Sequence, residues 1–467
     1  MTVDVLRRSP TVDSPSPSAP PASLPGYLLL AGTHRLRQSN ALGILREIQR
    51  APFESPADVR LNQLRRLSAL LTHAEQRVPY YRELFRSLGV TSRDIRTLDD
   101  FARLPILTKD IISERWRDLI RDDVPLERLF RHHSGGSTGV PLTFYRERAY
   151  MDASDAGTYR NFLQCGWRLG EMVAFFWGST ERLQQMSRAE FELRQRMRRM
   201  YQFDPFRSGA AEMEEWLRRW PRLRATIAFG YASTVARFAE FAEARGRRMP
   251  QLRGVFTTAE KLYPPQRRVI SRVFGCRVYD LYGSSEVQNI AAECPHGRMH
   301  VNADFVVVET AHPPAPASAS PLVLTSLWNY AMPFIRYRNE DCAELLAGSC
   351  GCGNNFPLMS LQVARVSDNF VLPDGRVVHG EFFTHLMYGS EGIRTFQFHQ
   401  TAPDHIRIWV VPDGQANAAS RSRALDAAVR QIKALTPAPL TVDVQETDAI
   451  PLSHAGKHRF TRSDVSG

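Results

Sequence analysis

The sequence predicts a layered α/β fold with at least two domains. Short apolar runs alternate with amphipathic polar stretches through the middle of the chain, as in strand–helix repeats that build a parallel sheet. The chain has 467 residues, of which 43% are hydrophobic, and this length exceeds one ordinary core. We expect a large N-terminal domain at 27–366 with a β-rich portion, and a small, mobile α+β C-terminal domain at 367–467.

The first elements are helical. Residues 1–26 are rich in Pro, Ser and Ala, a composition that cannot bury a core and predicts a disordered tail. From Pro56 to Leu88 the leucines recur with a helical period, and Pro79 acts as a stop. This stretch predicts an N-terminal helical layer.

Strands follow the helical layer. Parallel strands alternating with helices are predicted at 173–177, 225–229, 254–257 and 277–281. Residues 301–309 and 322–326, separated by a proline-rich loop, predict a hairpin-rich β portion. Beyond residue 367 the sequence predicts a hairpin turn at Asp374-Gly375, strands near Phe396 and at 406–410, and a helix at 421–435.

A loop rich in glycine and hydroxyl groups lies between residues 131 and 141. Backbone N–H groups and hydroxyls of such a loop can close around a phosphate chain. Gly139 is followed by Val140 and Pro141 instead of lysine, which excludes a Walker-type ATPase. A plain flexible turn is the alternative interpretation. The candidate phosphate-binding residues are Ser134, Gly135, Gly136, Ser137, Thr138 and Gly139.

Three later segments favour nucleotide binding. Residues 278–286 form an apolar run that ends in a glycine turn with a carboxylate suited to magnesium. Residues 334–341 predict a strand ending in Asp341, a carboxylate of the type that binds ribose hydroxyls. Residues 450–459 place Lys457 after a glycine, and lysine is rare here, occurring elsewhere only at 109, 261 and 433.

In this order the segments resemble the adenylate-forming superfamily. More narrowly, the chain resembles the phenylacetate-CoA ligase branch and its capsule-biosynthesis relatives over about residues 55 to 462. The matching motifs are Leu-Pro-Ile-Leu-Thr-Lys at 104–109, Ser-Gly-Gly-Ser-Thr-Gly, Tyr-Gly-Ser-Ser-Glu, Ile-Arg-Tyr-Arg and Ser-His-Ala-Gly-Lys-His-Arg. Two departures are the His133-Ser134-Gly135-Gly136 sequence and the absence of a glycine before Arg365. Neither removes a functional side chain.

The resemblance implies roles for individual residues. Lys457 would bridge the substrate carboxylate and the α-phosphate of ATP, Glu286 would bind Mg²⁺, and Asp341 would accept both ribose hydroxyls. The loop, with Thr138 as its main hydroxyl, would hold the outer phosphates. The adenine and ribose would contact Thr258, Ala259, Glu260, Asp280, Tyr282, Gly283, Ser284 and Arg365. The alternatives are an exposed lysine for Lys457, a surface arginine for Arg365 and a helix cap for Asp280.

The organic acid is expected near Trp177, Phe229, Gly230 and Tyr231. Aromatic bulk beside small residues suits an apolar pocket, although core packing would also explain these aromatic residues. Amino-acid-activating relatives place an aspartate here for the substrate ammonium, and Phe229-Gly230-Tyr231 offers none. An acid without an α-amine, and more narrowly an aryl acid, is therefore favoured.

Cysteine and histidine residues suggest a zinc site. Cys294, His300, Cys350 and Cys352 could supply four ligands to one tetrahedral Zn²⁺, with His296 as the rival of His300. The alternative is unliganded thiols, because Cys-x-Cys is tighter than the usual zinc-knuckle spacing. Cys165, Cys276 and Cys342 are isolated and are expected to pack in the interior.

Charge and hydropathy restrict the partners. The net charge is +11, but it is spread over many predicted helical faces without interleaved aromatics, which disfavours nucleic acid. No stretch reaches the roughly 18–20 apolar residues of a membrane span, and the short apolar run at 27–31 is too short for a secretory signal. We therefore expect a cytoplasmic protein.

The sequence thus predicts an ATP- and Mg²⁺-dependent enzyme that converts a carboxylic acid to an acyl-adenylate. The acyl group would pass to the thiol of CoA or of a carrier-protein pantetheine, with the C-terminal domain swinging about Asp368. One alternative is a nucleotidyl transferase that places AMP on a hydroxyl. Another is a non-catalytic nucleotide-binding partner in a biosynthetic complex. The oligomeric state is open, with a homodimer as one option.

Overall fold

The computed structural model describes most of the chain and has the predicted mixed α/β fold. The described residues are 23–133, 142–178, 186–204, 210–310, 320–362, 370–374, 377–378, 383, 386–387, 390–413, 418–451 and 459–465. Within them, no helix is both long and apolar enough to cross a bilayer.

Helices form the N-terminal layer and flank the sheet. Their bounds are α1 Leu24–Leu36, α2 Ala41–Ile48, α3 Pro56–Arg77, α4 Pro79–Leu88, α5 Leu98–Phe101, α6 Lys109–Arg115, α7 Arg148–Leu163, α8 Arg188–Arg198, α9 Ala210–Leu223, α10 Ala232–Ala244, α11 Pro264–Phe274 and α12 Ala418–Lys433. The predicted helical stretch from 56 to 88 consists of α3 and α4, and the stop predicted at Pro79 is confirmed. Pro79 lacks the N–H that would continue α3, and it becomes the first residue of α4.

Strands make up four sheets. Their bounds are β1 Phe130–His133, β2 Thr143–Arg146, β3 Met172–Phe176, β4 Met200–Phe203, β5 Ala225–Tyr231, β6 Gly254–Thr258, β7 Arg277–Tyr282, β8 Ala291–Glu293, β9 Met299–Val301, β10 Val306–Thr310, β11 Ser320–Ser326, β12 Tyr337–Leu346, β13 Leu358–Gln362, β14 Phe370–Val371, β15 Val377–Val378, β16 Ile393–Ala402, β17 His405–Pro412, β18 Thr441–Glu446 and β19 Thr461–Ser463.

The largest sheet has eleven strands in the order β10-β11-β12-β13-β9-β8-β7-β6-β5-β3-β4. From β7 to β4 all neighbours are parallel. From β7 to β10 all neighbours are antiparallel. The parallel half was predicted from the strand–helix repeats, and the hairpin between β10 and β11 from the two apolar runs around the proline-rich loop.

The parallel strands bury side chains on both faces, as expected for a sheet between two helical layers. On β3, Ala174 and Phe176 pack in one cluster with α9, α10 and α11, whereas Val173 points to the other cluster with α2 and α7. Neighbouring strands follow the same alternation because successive side chains point to opposite faces. The sheet is therefore rigidly held between helices.

The N-terminal helical layer packs on the antiparallel half. Tyr81 of α4 is buried, donates its hydroxyl to the Pro333 carbonyl at 2.8 Å and accepts from the Ile335 amide at 3.2 Å. Leu107 exchanges backbone hydrogen bonds with the Arg336 carbonyl and the Arg338 amide. Two segments that carried the family resemblance, 104–109 and 335–338, are thus paired in space.

The C-terminal part forms a separate sheet with the order β18-β17-β16-β19. Phe396, Phe398, Ile408 and Val410 bury one face against Ala428 and Ile432 of α12. The Asp374-Gly375 turn was predicted to join a hairpin, and β14 and β15 on its two sides are antiparallel. The proposed boundary at 366/367 and the Asp368 joint lie outside the described residues.

Two expectations about local structure are corrected. Residues 24–26, which composition placed in the tail, form the first turn of α1, where the Ser23 hydroxyl accepts from the Gly26 amide. Asp341 does not end a strand. It lies inside β12, which continues to Leu346 because the residues that follow pair with β13.

Candidate functional site

Most of the described site residues lie at one edge of the large sheet. Because β3, β5, β6 and β7 are parallel, their carboxyl ends open on the same side, where ligands bind in open α/β sheets. Trp177 follows β3, Tyr231 ends β5, Ala259 follows β6 and Tyr282 ends β7. The sequence predicted residues on separate segments, and the sheet order brings these segments next to one another.

Tyr282 and Asp341 form the central contact of this edge. The Tyr282 hydroxyl donates to Asp341 Oδ2 at 2.7 Å, and Asp341 is only 8% exposed. The Asn339 amide nitrogen lies 2.9 Å from the Tyr282 hydroxyl and 3.2 Å from Asp341 Oδ2. Asn339 was missed by sequence reasoning, although its i, i+2 spacing from Asp341 places both side chains on one strand face.

Glu286 lies in the turn after β7. The Ser284 amide donates to the Val287 carbonyl at 2.8 Å, and the Ser284 hydroxyl accepts from the Val287 amide at 3.0 Å. This tight turn holds Glu286 inward with 7% exposure. The Tyr337 hydroxyl is 3.5 Å from Glu286 Oε1, so Glu286 and Asp341 both face side chains of the other sheet half.

The Thr258-Ala259-Glu260 segment turns sharply after β6. Ala259 has a left-handed φ of +67°, a conformation that non-glycine residues seldom adopt and that often marks functional turns. Glu260 Oε2 accepts from the Ser233 amide at 2.9 Å, at the positive N-terminal end of α10. The Glu260 side chain therefore anchors the turn and leaves its backbone for a ligand.

Asp280 lies within β7 and does not cap a helix, so that alternative is wrong. Its backbone amide donates to Glu293 Oε2 at 2.9 Å, and its Oδ1 accepts from the Thr257 hydroxyl at 3.2 Å. Burial, with a smaller contribution from the Glu293 carboxylate, raises the pKa of Asp280 to about 7. Burial also lowers the pKa of nearby Lys261 to about 8, an effect that Asp280 partly opposes.

Aromatic rings line the ends of β3 and β5. The Trp177 and Tyr231 ring centroids are 4.4 Å apart, and Phe175 stacks on both Trp177 and Phe229. Phe229 also meets Phe162 of α7 at 5.3 Å, so it belongs partly to the core. Gly230 is required where the strands approach, because a Cβ atom at this position would lie 2.1 Å from the Phe176 carbonyl oxygen.

The four predicted zinc ligands converge away from this edge. One potential ligand atom from each of Cys294, His300, Cys350 and Cys352 lies within 4.8 Å of the other three, whereas His296 does not belong to the group. The two sulfurs of Cys294 and Cys350 are 3.8 Å apart, and Cys352 Sγ is 3.5 Å from His300 Nε2. His300 Nδ1 lies 3.0 Å from the Phe356 carbonyl. Burial lowers the pKa of His300, which favours the neutral ring.

Several predicted site residues lie outside the described part of the chain. They are the phosphate-loop residues Ser134, Gly135, Gly136, Ser137, Thr138 and Gly139, together with Arg365 and Lys457. Their roles stay predictions. The structure does describe the hairpin that the loop connects, since β1 and β2 pair from Phe130–Arg146 to His133–Thr143.

Comparison with curated proteins finds phenylacetate-coenzyme A ligases and protein CapK. The chain is 27% identical to a phenylacetate-coenzyme A ligase of Pseudomonas putida over 307 residues, which span 62% of this chain and 67% of that one. It is 20% identical to protein CapK of Staphylococcus aureus over 424 residues, 86% of this chain and 89% of CapK. No protein-family model matches the chain.

Comparison with solved structures shows the same fold. The structure of 2-hydroxyisobutyryl-CoA ligase in the postadenylation state, bound to R3-HIB-AMP, superposes with a TM-score of 0.71 at 19% identity, covering 89% of this chain and 91% of that one. The same ligase in the thioesterification state with CoA gives a TM-score of 0.58 over the same shares. Both comparisons show that the chain shares the fold of this ligase.

The raised pKa of Asp280 predicts a pH dependence of ATP binding. If Asp280 accepts from the adenine amine, protonation as the pH falls through about 7 replaces a charged acceptor with a weaker neutral one, so the ATP dissociation constant should rise about tenfold in all and then level off at low pH. Asp280→Asn should lack this change. Calorimetric titration of ATP into both proteins from pH 5.5 to 8.5 measures it.

The variant is also the control for titration of the ATP phosphates, which affects both proteins equally. Parallel pH profiles for the wild-type protein and Asp280→Asn would contradict a contact between Asp280 and adenine.

Proposed function

We propose that this chain, which belongs to the adenylate-forming superfamily on its phenylacetate-CoA ligase-like branch, is an acid–thiol ligase. It activates a carboxylic acid with ATP to an acyl-adenylate and transfers the acyl group to CoA. The hydrogen bonds among Tyr282, Asn339 and Asp341 support this assignment most directly. These residues present a fixed carboxylate at the ligand-binding edge of the sheet, beside the Ala259 turn.

The nucleotide would lie along this edge. Asp341 would accept from both ribose hydroxyls, with its carboxylate oriented by Tyr282 and Asn339. The backbone of Thr258 and Ala259 would support adenine, because Glu260 is engaged by the N-terminus of α10. The triphosphate would then extend toward the Glu286 turn and the loop between β1 and β2.

Glu286 suits a magnesium ion. It is a buried carboxylate, and among the described residues it forms no direct ion pair that would occupy its oxygens. Mg²⁺ is usually held by one or two carboxylates together with substrate phosphates. When bound, the ion would neutralise phosphate charge during adenylation.

The chemistry has two steps. A carboxylate oxygen of the acid attacks the α-phosphorus, the bond to the β-phosphate oxygen breaks, and pyrophosphate leaves. The CoA thiolate then attacks the acyl carbon, and AMP leaves with the bonding pair. Lys457 would offset the repulsion between the two anions in the first step, and the hydroxyls of the 134–139 loop would donate to the outer phosphates.

The acid would lie against Trp177 and Tyr231. Their rings, 4.4 Å apart at the end of the strands, present an apolar surface suited to an aryl or other non-amino acid. Burial raises the pKa of the Tyr231 phenol, and the Glu260 and Asp204 carboxylates add to this rise. The phenol is thus a neutral donor near the predicted acid.

The C-terminal part would move between the two steps. Tyr263 of the sheet edge contacts Phe460 edge to face at 5.5 Å, and Phe460 lies three residues after Lys457 in sequence. This contact places Phe460 beside the segment that follows the Ala259 turn. It supports an arrangement suited to adenylation.

The Cys-His cluster fits a structural Zn²⁺ ion. With Zn–S bonds of about 2.3 Å and Zn–N bonds of about 2.0 Å, a tetrahedral site has S–S edges of about 3.8 Å and S–N edges of about 3.5 Å. The distances of 3.8 Å and 3.5 Å in the cluster match. The Phe356 carbonyl would fix the His300 tautomer, as such carbonyls do for many zinc-binding histidines. The site would join the β8–β9 hairpin to the loop before β13.

An acceptor other than CoA is the second candidate. The match to CapK covers 86% of this chain and the match to the Pseudomonas putida ligase covers 62%, so the alternative is a reaction in which the acyl group passes to a carrier-protein pantetheine or AMP passes to a hydroxyl. ATP and CoA are cytoplasmic metabolites, so either reaction would occur in the cytoplasm.

Carboxylate-dependent ATP–pyrophosphate exchange tests the ligase proposal. With no thiol present, the wild-type protein should exchange label with one class among aryl, short-chain and long-chain acids, and hydroxylamine should trap the acyl product. Lys457→Ala should lose at least 100-fold in exchange rate because the carboxylate–phosphate repulsion is no longer offset. Lys433→Ala, on helix α12, is the matched lysine control and should retain the rate.

Exchange that needs no acid, or full exchange by Lys457→Ala, would contradict the proposal. Release of pyrophosphate only with a hydroxyl substrate would identify the nucleotidyl transferase instead.

Metal analysis tests the zinc proposal. The purified protein should contain about one zinc ion per chain, and Cys350→Ser should bind less than a tenth of that and melt several degrees lower, because the β8–β9 hairpin loses its crosslink. Cys276→Ser, which changes an isolated cysteine, should keep the metal. A wild-type protein without zinc, or with zinc that Cys350→Ser retains, would contradict the assignment.

A further inference from the structure

Arg146 is a buried cation that the proposed mechanism has not used. It is the last residue of β2, and its residue exposure is 3%. Its guanidinium carbon lies 5.0 Å from the Phe144 ring centroid and 4.9 Å from that of Tyr150. Phe144 in turn stacks on His132, the second residue before the phosphate loop. The guanidinium therefore lies between the β1–β2 hairpin and α7.

The same guanidinium contacts the turn that carries Glu286. Arg146 Nη2 donates to the Ser285 carbonyl. Glu286, the next residue, lies near enough for its charge to oppose the pKa lowering that burial causes at Arg146. Among the described residues the two side chains nevertheless form no direct ion pair. The positive charge thus attracts the Glu286 carboxylate without occupying its oxygens.

Arg146 is incompletely satisfied by its surroundings. Its Nε is buried and has no hydrogen-bond partner within the described part of the chain. Burial of a charged group with an unused donor is unfavourable for folding, and such exceptions concentrate at functional sites. A stabilising role in the core would be served better by an apolar side chain of similar size.

We propose that Arg146 is a positioning residue for Mg²⁺·ATP: it ties the Ser285–Glu286 turn to the hairpin that holds the phosphate loop. Arg146 then fixes the position of the metal-binding carboxylate relative to the β1–β2 hairpin. The proposal rests on the nucleotide site proposed above and adds a residue that the sequence motifs did not indicate.

Magnesium-dependent ATP binding tests this role without any acid or turnover. Calorimetric titration of ATP at Mg²⁺ concentrations from micromolar to 20 mM gives the Mg²⁺ concentration for half-maximal enhancement of ATP affinity. In Arg146→Met, which keeps the bulk but loses the charge and the donor, that concentration should rise at least tenfold. ATP affinity without Mg²⁺ should fall less than threefold. Arg146→Lys should recover part of the Mg²⁺ response, since it restores the charge.

Arg148→Met is the matched control. Arg148 is exposed and lies over the Phe130 ring at the same end of the hairpin, and its substitution should leave the Mg²⁺ response unchanged. If Arg146→Met fails to fold, Arg146→Lys and Arg146→Gln are compared instead. The Mg²⁺ concentration for half-maximal enhancement of ATP affinity should then be higher in Arg146→Gln than in Arg146→Lys.

An unchanged Mg²⁺ midpoint in folded Arg146 variants would overturn the proposal. An equal loss of ATP affinity with and without Mg²⁺ would do the same, because it would indicate direct phosphate binding or general distortion. Failure of the ligase proposal would look different. The wild-type protein would bind Mg²⁺·ATP normally, but none of the tested acids would support pyrophosphate exchange.

Discussion

The hydrogen bond between Tyr282 and Asp341 is the contact on which the site depends. In the order of the sheet, β8, β9 and β13 separate the strands that carry these residues. Four strand spacings of about 4.8 Å would place the backbones of the two residues roughly 19 Å apart in a flat sheet. A tyrosine and an aspartate side chain together cannot span that distance, yet their oxygens are 2.7 Å apart. The antiparallel half must therefore curl over the carboxyl edge of the parallel half. This curl brings side chains of the two sheet halves together at the carboxyl edge.

Charged side chains also lie close together at this edge of the sheet. Tyr337 reaches Glu286 from the same strand, β12, that presents Asp341. Arg146 approaches the Glu286 turn from the β1–β2 hairpin. Within the described part of the chain, Asp341 accepts from Tyr282 and Asn339, and Glu286 accepts from Tyr337. These donors orient the carboxylate oxygens, which is what ribose hydroxyls or a metal ion require.

Local sequence patterns were enough to predict the parallel strands, the β10–β11 hairpin and α12, because the period of the hydrophobic residues and the turn residues determine these elements. Motif order indicated Asp341 and Glu286, and ligand chemistry independently indicated the four cysteine and histidine residues that converge. The patterns could not show that Asp341 lies in mid-strand, since pairing with β13 extends β12. They also missed Asn339 and Arg146. Asn339 contacts Tyr282 and Arg146 contacts Ser285, and both contacts join segments that are far apart in sequence. The pattern of a single segment contains no information about such contacts.

The most direct measurement compares ATP with 2′,3′-dideoxy-ATP as ligands of the wild-type protein and of Asp341→Ala by calorimetry. If the curled sheet presents Asp341 to the ribose, the wild-type protein will prefer ATP by at least tenfold, since the analogue lacks the two ribose hydroxyls that would donate to this carboxylate. Asp341→Ala will bind both nucleotides weakly and equally. A preference for ATP that survives in Asp341→Ala, or no preference in the wild-type protein, would contradict this account of the site.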